Sequence, residues 1–335
     1  ETRGRGVVTP RSQFVPLGGE ATFVAEGDHP FLGYETNGVT ASLDRTFVWR
    51  DVREDATVVA CFGVTNYCVD ASVGDDDNDG LAWETPLKSI FGMVMKAGRG
   101  DTAKVKPGVY EGCDWCVYGV EVASTDGPAA TVIDGGGTNI CAYANEMTYR
   151  GFTFRNGSSP SNVGGGGYYG TFVDCVFSNC TAGAGGGAAY AVLTNCLIVG
   201  NSAVPFRSGW QWVGGFGSGA YECGLSNCTV FSNDCVDCTV VNSAVTEDPR
   251  HFRDAAKGDF RLKPNSDYVD AGDSESVTVA RDLAGTNRVW GASVDCGCYE
   301  YHLPPGVTDP TGVGIPAALA AEGYRGGFAA VLFLL

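Results

Sequence analysis

A segment that repeats three times between residues 164 and 243 is the feature that most constrains the fold. Each copy has a glycine-rich run that ends in tyrosine, followed by a short apolar segment that contains cysteine. The tyrosines are Tyr169, Tyr190 and Tyr221, and the cysteines are Cys175, Cys196 and Cys228. The tyrosines are 21 and 31 residues apart and the cysteines 21 and 32, so two markers keep one register. Such a register indicates a stacked repeat.

The segments between the glycines have the composition of β-strands. They run apolar over four to six residues, are rich in Val, Phe, Ile and Thr, and end at Asn, Ser or Gly. A strand of this length cannot bury its apolar face alone, so each repeat must pair with its neighbours. Because parallel crossovers are right-handed, the pattern predicts an all-β chain built as a right-handed parallel β-helix.

Length and charge narrow the possible partners. The 335 residues have room for one elongated domain and a smaller one. A formal net charge of −17 argues against nucleic acid and anionic membranes as partners, because both require a basic surface. The apolar end of the chain, residues 328–335, is far too short to span a bilayer.

The 14 cysteines do not resemble a small disulfide scaffold. The three repeat cysteines share one position per repeat, so we expect them to point inward as a ladder of small apolar side chains. Two pairs have zinc-like spacing, but they lie about 120 residues apart with no histidine near them, which favours local or inter-repeat disulfides over zinc. These pairs are Cys113/Cys116 and Cys235/Cys238; further possible pairs are Cys61/Cys68 and Cys296/Cys298.

Residues 1–64 are predicted to form a separate small β domain, with strands at 21–25, 46–49 and 57–62. The motifs Gly19-Glu-Ala-Thr-Phe23, Phe31-Leu-Gly-Tyr-Glu-Thr-Asn-Gly38 and Asp55-Ala-Thr-Val-Val-Ala-Cys-Phe62 resemble the small β-domain repeats of bacterial surface proteins, of the type found in internalin B. The resemblance implies a spacer or adhesive module without chemistry of its own.

The predicted solenoid spans residues 67–245 and begins with a cap helix. Leu87, Ile90, Phe91 and Val94 have the spacing of one helix face, and Pro86 fits the first helical turn. An amphipathic helix here would shield the open end of the β-helix. The order of an Asp-rich loop, Trp83, this helix, Gly100-Asp-Thr102 and Lys106-Pro-Gly-Val-Tyr110 resembles the pectate-lyase-like β-helix superfamily.

Residues 246–302 are predicted to end the solenoid. The motifs Gly258-Asp-Phe-Arg-Leu-Lys-Pro-Asn-Ser266, Tyr268-Val-Asp-Ala-Gly272, Arg281-Asp-Leu-Ala-Gly-Thr-Asn-Arg288 and Val294-Asp-Cys-Gly-Cys-Tyr-Glu300 resemble the choice-of-anchor Q segment of exported β-helix proteins. The resemblance implies export to a surface. We expect the charged residues of this segment to form a structural network: Asp270, Arg281, Asp282, Arg288, Asp295 and Glu300.

Residues 303–335 have the composition of a linker with a weakly apolar end. No signal peptide begins at Glu1. For an exported protein, we therefore expect the leader to have been removed or to lie outside this sequence.

An acidic loop, residues 74–80, is a candidate Ca²⁺ site. Asp75, Asp77 and Asp79 alternate as at the start of an EF-hand, but loop position 12, which needs a bidentate carboxylate, is Pro86. A full EF-hand is excluded. Either a looser Ca²⁺ site or a solvated acidic turn remains.

The residues that precede the repeat cysteines form a second column. If the cysteines point inward, alternation turns Asp174, Asn195 and Asn227 outward. The column is either a polar ladder that caps turns or a substrate-binding row, with Asp174 as its catalytic candidate and the two asparagines as substrate ligands. Hydrolysis by an acid pair needs two carboxylates, and Asp174 is the only one of the three.

An insertion of 10 or 11 residues between the second and third repeats carries Arg207, Trp210 and Trp212. Two indole rings and a guanidinium on a lateral loop suit stacking on sugar rings and pairing with a carboxylate or sulfate. The alternative is that these aromatics pack on the repeat beneath. One hypothesis assigns Arg207 as the base of a polysaccharide lyase, with a cation neutralising the uronate.

These features predict an exported protein, extracellular or on a bacterial surface, that binds or degrades a polysaccharide, with an acidic glycan favoured and Ca²⁺ as the candidate cofactor. If it is catalytic, it is a lyase or a glycoside hydrolase. The alternative is a non-catalytic adhesin or structural module of the cell surface.

Overall fold

The computed structural model describes residues 2, 3, 6–27, 31–116, 118–208 and 211–302. The predicted tail at 303–335 lies outside these residues. Within them, the chain forms a small β unit, a stack of parallel strands with a cap helix, and a C-terminal segment of short turns and one β-hairpin. The chain is all-β with only short helical pieces, as predicted.

The N-terminal unit has two sheets around one apolar core. Tyr34, Ala60 and Phe62 are buried there, with Phe47 and Trp49 packed against them. The predicted strands are confirmed. Within the described residues, the strands of one sheet, in spatial order, are Thr2–Arg3, Val58–Phe62, Phe31–Thr36 and Val39–Ser42, and those of the other are Val7–Thr9, Ala21–Glu26 and Thr46–Trp49.

The parallel strands stack into four sheets, and each turn of the chain, or rung, adds one strand to a sheet. Sheet 1 holds Asn66–Val69, Thr102–Val105, Glu121–Ser124, Thr148–Arg150, Thr171–Val173, Val192–Thr194, Gly224–Ser226 and Thr239–Val241. Sheet 2 holds Gly108–Glu111, Thr131–Asp134, Thr153–Arg155, Val176–Ser178, Leu197–Val199, Thr229–Phe231 and Ala244–Thr246. Sheet 3 holds Ala142–Tyr143, Gly167–Tyr168, Ala188–Ala189, Ala220–Tyr221 and Cys235–Val236. Sheet 4 holds Ser158–Val163, Thr181–Ala184 and Ser202–Ala203.

One rung shows the path of all. Thr171–Val173 in sheet 1 leads to Val176–Ser178 in sheet 2, to Thr181–Ala184 in sheet 4 and to Ala188–Ala189 in sheet 3, and Val192–Thr194 then begins the next rung. Every strand pair among these four sheets is parallel. This connectivity is that of a parallel β-helix, so the predicted fold class is confirmed.

The corners between strands use left-handed backbone. Asp174 (φ 55°) turns the chain from sheet 1 to sheet 2, Asn179 (φ 53°) turns it toward sheet 4, and Tyr190 (φ 54°) returns it to sheet 1. Asn and Asp tolerate this conformation better than other non-glycine residues. The Asn and Asp residues at the first two corners therefore form the turns of the backbone, which agrees with the turn-capping alternative of the sequence analysis.

The interior is filled by columns of identical or similar side chains. Cys175, Cys196 and Cys228 are all fully buried in one core cluster, which confirms the predicted inward ladder. The rings of Phe154 and Phe177 stack at 5.0 Å in the same cluster. All 14 cysteines are unpaired, so the expected disulfides are not formed in this structure.

The glycine-rich runs lie where rungs pack backbone to backbone. A Cβ added at Gly186 would lie 2.2 Å from the carbonyl oxygen of Ser202, and one at Gly165 would lie 2.5 Å from that of Thr181. Only glycine allows this close approach between sheets 4 and 3, which explains why the run recurs in every repeat.

The cap helix spans Ile90–Lys96 and begins after Ser89, whose side chain accepts from the Gly92 N–H. Ile90 and Met93 are buried in the solenoid core, as a cap requires. The predicted helix face is partly wrong: Pro86 and Leu87 precede the helix, and Phe91 is 47% exposed. The helix is short, so Met93 rather than Phe91 completes its buried face.

The C-terminal segment covers sheet 2. It contains the 3₁₀ turns Pro249–His251, Ala255–Lys257 and Ser274–Ser276 and the antiparallel hairpin of Phe252–Asp254 with Asp259–Leu262. Phe252 and Phe260 pack with Val176 and Leu197 of sheet 2 in a second solenoid cluster. The cap helix and the 3₁₀ turns are too short to span a bilayer, and no other helix lies within the described ranges.

Candidate functional site

Five tyrosines form a row along the outside of the solenoid, beside sheet 3. We call this row the tyrosine ladder; its members are Tyr143, Tyr168, Tyr169, Tyr190 and Tyr221. Ring centroids lie 5.4 Å apart for Tyr143 and Tyr168, 4.2 Å for Tyr168 and Tyr169, and 5.6 Å for both Tyr169 and Tyr190, and Tyr190 and Tyr221. All five rings are partly open to solvent. The row therefore crosses four rungs as a continuous aromatic surface.

Strand alternation explains the outward direction of this row. In sheet 3, the buried residues Ala142, Gly167 and Ala220 are followed by Tyr143, Tyr168 and Tyr221, which face out. The equivalent residue of the remaining strand, Ala189, is itself buried. The repeat register is corrected by one position. Tyr221 pairs with Ala189 rather than occupying the corner of Tyr190. This shift explains why the last two tyrosines of the repeat are 31 residues apart and the last two cysteines are 32 apart.

Acidic residues extend the tyrosine corner at both ends. Tyr169 and Tyr190 share their left-handed corner position with Glu146 on the preceding rung and with Glu222 and Asp237 on the following rungs. A hydrogen bond to Glu222 is the main reason that the pKa of Tyr221 is raised to about 12. Glu146 pairs with Arg99 at 3.1 Å. Asp237 thus belongs to the tyrosine corner and not to the column of Asp174.

A polar cleft of about 570 Å³ opens at the corner between sheets 2 and 4. Its floor is a chain of hydrogen bonds in which the Asn179 amide donates to Asn156 at 2.6 Å, and the Asn156 amide donates to both carboxylate oxygens of Asp134 at 3.0 and 3.1 Å. Ser158 and Thr181 line the side toward sheet 4. The cleft therefore presents amide and hydroxyl groups on three successive rungs.

Asp134 is held ionised in this cleft. Partial burial opposes its charge, but the Gly136 N–H, the Asn156 amide and Arg155 (2.7 Å) together outweigh burial and lower the pKa of the carboxyl. Every Asp134 oxygen thus has a donor. A carboxylate satisfied in this way is a poor general acid.

A second cleft, of about 320 Å³, continues the first toward the tyrosine ladder. The two share Ser158, and the second is lined further by Asn139, Asn162, Tyr143 and Tyr168. Together they connect the amide corner to the first rings of the ladder. These clefts were not predictable from the sequence, because their lining residues come from three rungs and from the irregular loop at 135–140.

The predicted insertion forms an antiparallel β-hairpin of Pro205–Ser208 and Gln211–Gly214. Arg207, which is exposed, lies opposite Trp212 in the strand register. Trp210 lies outside the described residues. Phe206 anchors the hairpin, because its ring packs directly on Gly183 of sheet 4. A Cβ added at Gly183 would lie only 2.6 Å from this ring. The hairpin therefore stands on the face that carries the clefts.

Asn195 and Asn227 are fully buried. The C-terminal segment covers this corner: the Asn195 amide donates to the Arg281 carbonyl at 3.2 Å and to Asp174 at 2.6 Å. A substrate has no access to either asparagine in this arrangement, so neither enters the candidate site. The outward turn at the corner was predicted, but the segment that lies over it, some 85 residues further along the chain, was not.

Asp174 is half-buried beside Asn195, and Arg150 lies 3.9 Å from it. Burial is the main cause of the raised pKa of its carboxyl, although the Asn195 amide and Arg150 lower it. Asp174 and Arg207 belong to different faces, since Asp174 turns sheet 1 into sheet 2 and Arg207 stands on sheet 4. The structure does not bring the two catalytic candidates together.

The carboxylates of the acidic loop do not converge on one point in this structure, and the Ca²⁺ assignment stays a prediction. Asp75 accepts from the Asp77 N–H at 3.0 Å, and Asp79 accepts from the Leu81 N–H and the Thr85 hydroxyl, so both carboxylates stabilise the turn. Asp76, which was not predicted, accepts from the N–H groups of Lys88 and Ser89. Across the described ranges, no group of three or more His, Cys, Asp or Glu side chains has the arrangement of a metal site.

Four of the six charged residues predicted for the C-terminal segment form a buried network, Asp282, Arg288, Asp295 and Glu300, whereas Asp270 and Arg281 are exposed. Arg288 is 1% exposed and pairs with Glu300 at 3.3 Å. Asp295 accepts from the Asp270 N–H at 2.7 Å, and Asp282 accepts from the N–H groups of Thr286 and Glu300. Most of these carboxylates bind backbone amides, so the network is structural.

No protein-family model matches this chain, and no curated protein matches it either. Solved structures with likeness to the fold include pectate lyase Pel9A, at 14% identity and a TM-score of 0.32, covering 72% of this chain and 98% of that one. Another is a GH136 lacto-N-biosidase from Eubacterium ramulus, at 14% identity and a TM-score of 0.27, covering 52% of this chain and 36% of that one. The fold assignment rests on the strand pairing of this chain rather than on these likenesses.

Proposed function

We propose that this protein binds a polysaccharide along the tyrosine ladder and the two clefts beside it. The observation that carries the proposal is the row of partly exposed rings on four successive rungs, continuous with a cleft lined by amides and hydroxyls. Rungs about 4.8 Å apart give a regular row of contacts. A ligand that engages the whole row must itself be long and repetitive.

The chemistry of the face suits sugars. Tyrosine offers an apolar ring for the C–H face of a pyranose and a hydroxyl for hydrogen bonding. Asn156, Asn179 and Ser158 supply both donors and acceptors in the cleft. Ligand sites of this type combine apolar contact with a few well-placed polar groups.

The charge of the face favours a neutral glycan over the acidic one that the sequence suggested. Glu146, Glu222 and Asp237 continue the corner of Tyr169 and Tyr190, and the whole chain carries a net charge of −17. A uronate or sulfate at the ladder would meet repulsion from these carboxylates. Two cations beside this face already pair with carboxylates, Arg155 with Asp134 and Arg99 with Glu146, and the exposed Arg207 stands on the hairpin.

We propose binding without turnover. Asp134, the carboxylate in the larger cleft, has donors on both oxygens and a lowered pKa, so it is a poor general acid. The other carboxylate among the lining residues, Asp114, lies in the second cleft, which shares only Ser158 with the first. Acid-pair hydrolysis needs two carboxylates about 5 to 9.5 Å apart, one of them protonated. A β-helix that only binds a polysaccharide, on a cell surface or in the extracellular space, would need neither a second carboxylate nor a protonated one.

The test is a panel of soluble polysaccharides, neutral (galactomannan, xyloglucan) and acidic (polygalacturonate, alginate), measured by affinity electrophoresis and by reducing-end and 235-nm product assays. We expect retardation by a neutral polymer and no product from any. Retardation only by acidic polymers would contradict the charge argument. Product formation would contradict the claim that the protein binds without turnover. The absence of retardation by every polymer would contradict the proposal that it binds a polysaccharide.

A further inference from the structure

Three cysteines meet inside the last rung of the solenoid, away from the tyrosine ladder's outer surface. Cys223 and Cys238 occupy the same position on successive rungs, because the residues that follow them, Gly224 and Thr239, are paired in sheet 1. The Cys223 N–H donates to the sulfur of Cys238 at 3.4 Å. Cys235 lies on the other side of the Asp237 corner, in sheet 3, and packs against the same core.

Solvent access separates these thiols from the rest of the cysteine ladder. Cys223 is 3% exposed, and Cys175, Cys196 and Cys228 are fully buried. Cys235 and Cys238 are only partly buried, because the described chain adds no further rung to sheets 1 and 3 beyond them. A small reagent can therefore reach Cys238 but not Cys223.

Hydrogen bonding also sets Cys238 apart. The Cys223 N–H donates to its sulfur at 3.4 Å. The adjoining thiols of Cys223 and Cys235 lower the pKa of Cys238, and the pKa values of those two thiols rise. Burial raises the pKa of the other partly exposed thiols, Cys68, Cys116 and Cys296. A thiolate is the nucleophile in thiol chemistry, so Cys238 has the advantage among them.

We propose that Cys238 is a redox-reactive thiol that exchanges with small disulfides and then closes a disulfide with Cys223 or Cys235. The cluster holds two partly exposed thiols, Cys235 and Cys238, and the buried Cys223 adjoins Cys238, so a reachable thiol has neighbours that can resolve a mixed disulfide. This inference does not depend on the proposed function, since the three thiols face the interior and the glycan face lies outside.

The exchange balances with a small disulfide as the oxidant. The Cys238 thiolate attacks one sulfur of oxidised glutathione, forming a mixed disulfide and releasing one glutathione thiolate, which takes up a proton. The neighbouring thiol then loses its proton and attacks the Cys238 sulfur. The second glutathione leaves as thiolate and takes up that proton. Two protein thiols have become one disulfide, and one oxidised glutathione has become two reduced molecules.

A disulfide between Cys223 and Cys238 would join the last rung to its neighbour. A disulfide between Cys235 and Cys238 would instead fix the Asp237 corner within the last rung. Cys223 and Cys238 are only 15 residues apart, whereas equivalent positions on earlier rungs are more than 20 apart, so this rung is the shortest of the repeat. A covalent link at the end of a stack supports the rung that has a partner on one side only.

The experiment treats the full, reduced chain with oxidised glutathione and follows the products by intact-mass and peptide-mapping mass spectrometry. We expect a fast reaction that ends in an intramolecular disulfide containing Cys238. Cys238→Ser should slow the fast phase by about tenfold or more, and the matched control Cys296→Ser, at a partly exposed thiol elsewhere, should leave it unchanged.

A second variant traps the intermediate. With Cys223→Ser and Cys235→Ser combined, the mixed disulfide on Cys238 should accumulate, since no neighbouring thiol remains to resolve it. If the double variant does not fold, each single variant should still close a disulfide with the remaining neighbour. A fast phase that persists in Cys238→Ser, or a first-formed disulfide that omits Cys238, would overturn the inference.

Discussion

The rings of Tyr169 and Tyr190 lie 5.6 Å apart on successive rungs, and both residues have left-handed backbone, with φ of 57° and 54°. The other corners of these rungs hold Asp, Asn or Gly, which adopt this conformation at lower cost. A non-glycine, non-Asn residue in this region costs about 1 kcal/mol or more. Two tyrosines at this corner thus carry a backbone penalty that an asparagine would relieve, which points to a role for the rings themselves.

The first prediction concerns the seat of the hairpin. Gly183→Ala would place a Cβ 2.6 Å from the Phe206 ring and 2.7 Å from the Asn162 carbonyl oxygen. We expect a loss of about 1–3 kcal/mol in the free energy of unfolding, because overpacking forces one of these groups to move. Limited proteolysis should then cut within residues 205–214.

Gly224→Ala is the matched control, because it lies in sheet 1 with no atom near an added Cβ. Its free energy of unfolding and its proteolysis pattern should match the parent's. Equal protease resistance in Gly183→Ala would contradict the docking of the hairpin on sheet 4.

The second prediction tests the hairpin as part of the binding face. Trp210→Ala and Trp212→Ala should each weaken glycan binding by about threefold to tenfold if these rings stack on sugars. Arg207→Ala should leave the affinity for a neutral glycan unchanged, because its guanidinium pairs with anions. Titration calorimetry with one neutral polymer checks all three. Unchanged binding in both tryptophan variants would remove the hairpin from the site.

The third prediction concerns pH and the C-terminal network. Arg288 is the buried cation of a segment that also holds three buried carboxyls. Burial is the main cause that raises the pKa of Glu300 to about 8, that of Asp295 to about 6 and that of Asp282, and repulsion from Asp295 adds to the shift of Glu300. A group whose pKa is raised by folding stabilises the fold fully below its unfolded pKa and loses that contribution as pH rises through the folded pKa.

The free energy of unfolding should therefore fall between about pH 4.5 and 8, by up to about 1.4 kcal/mol for each unit of raised pKa. Urea unfolding followed by Trp290, whose ring lies 4.8 Å from that of His302, measures it. Glu300→Gln should flatten the decline. Asp248→Asn should not, because the pKa of Asp248 is lowered to about 2, outside this range. Stability that rises from pH 5 to 8 would contradict the assignment.

The periodic part of the fold was predictable from the sequence and the site was not. Repeated Gly, Tyr and Cys positions predicted a stacked solenoid and an inward cysteine ladder, because each strand has only its neighbours to pair with. The clefts arise from residues on different rungs and from the loop at 135–140, where no repeat marks the position. The burial of Asn195 depends on Arg281, and such a long-range contact leaves no local pattern.

The tyrosines were visible in the sequence but only as markers of register. In the third repeat the backbone register is kept, but the tyrosine comes one residue earlier, so Glu222 rather than a tyrosine stands at the corner. Likewise, Asp75 and Asp79 match a cation motif and also accept hydrogen bonds within their own turn, so the spacing of the carboxylates does not distinguish a Ca²⁺ site from an acidic turn.

The most direct test of the binding face is titration of Tyr190→Asn with a neutral polysaccharide, together with its thermal unfolding. Asparagine suits the left-handed corner, so the free energy of unfolding should stay within about 1 kcal/mol of the parent. The loss of the ring should weaken binding by about tenfold. Phe91→Ala, at an exposed ring on the cap helix, should bind as the parent does. Unchanged affinity in a folded Tyr190→Asn variant would contradict the tyrosine ladder as the binding surface.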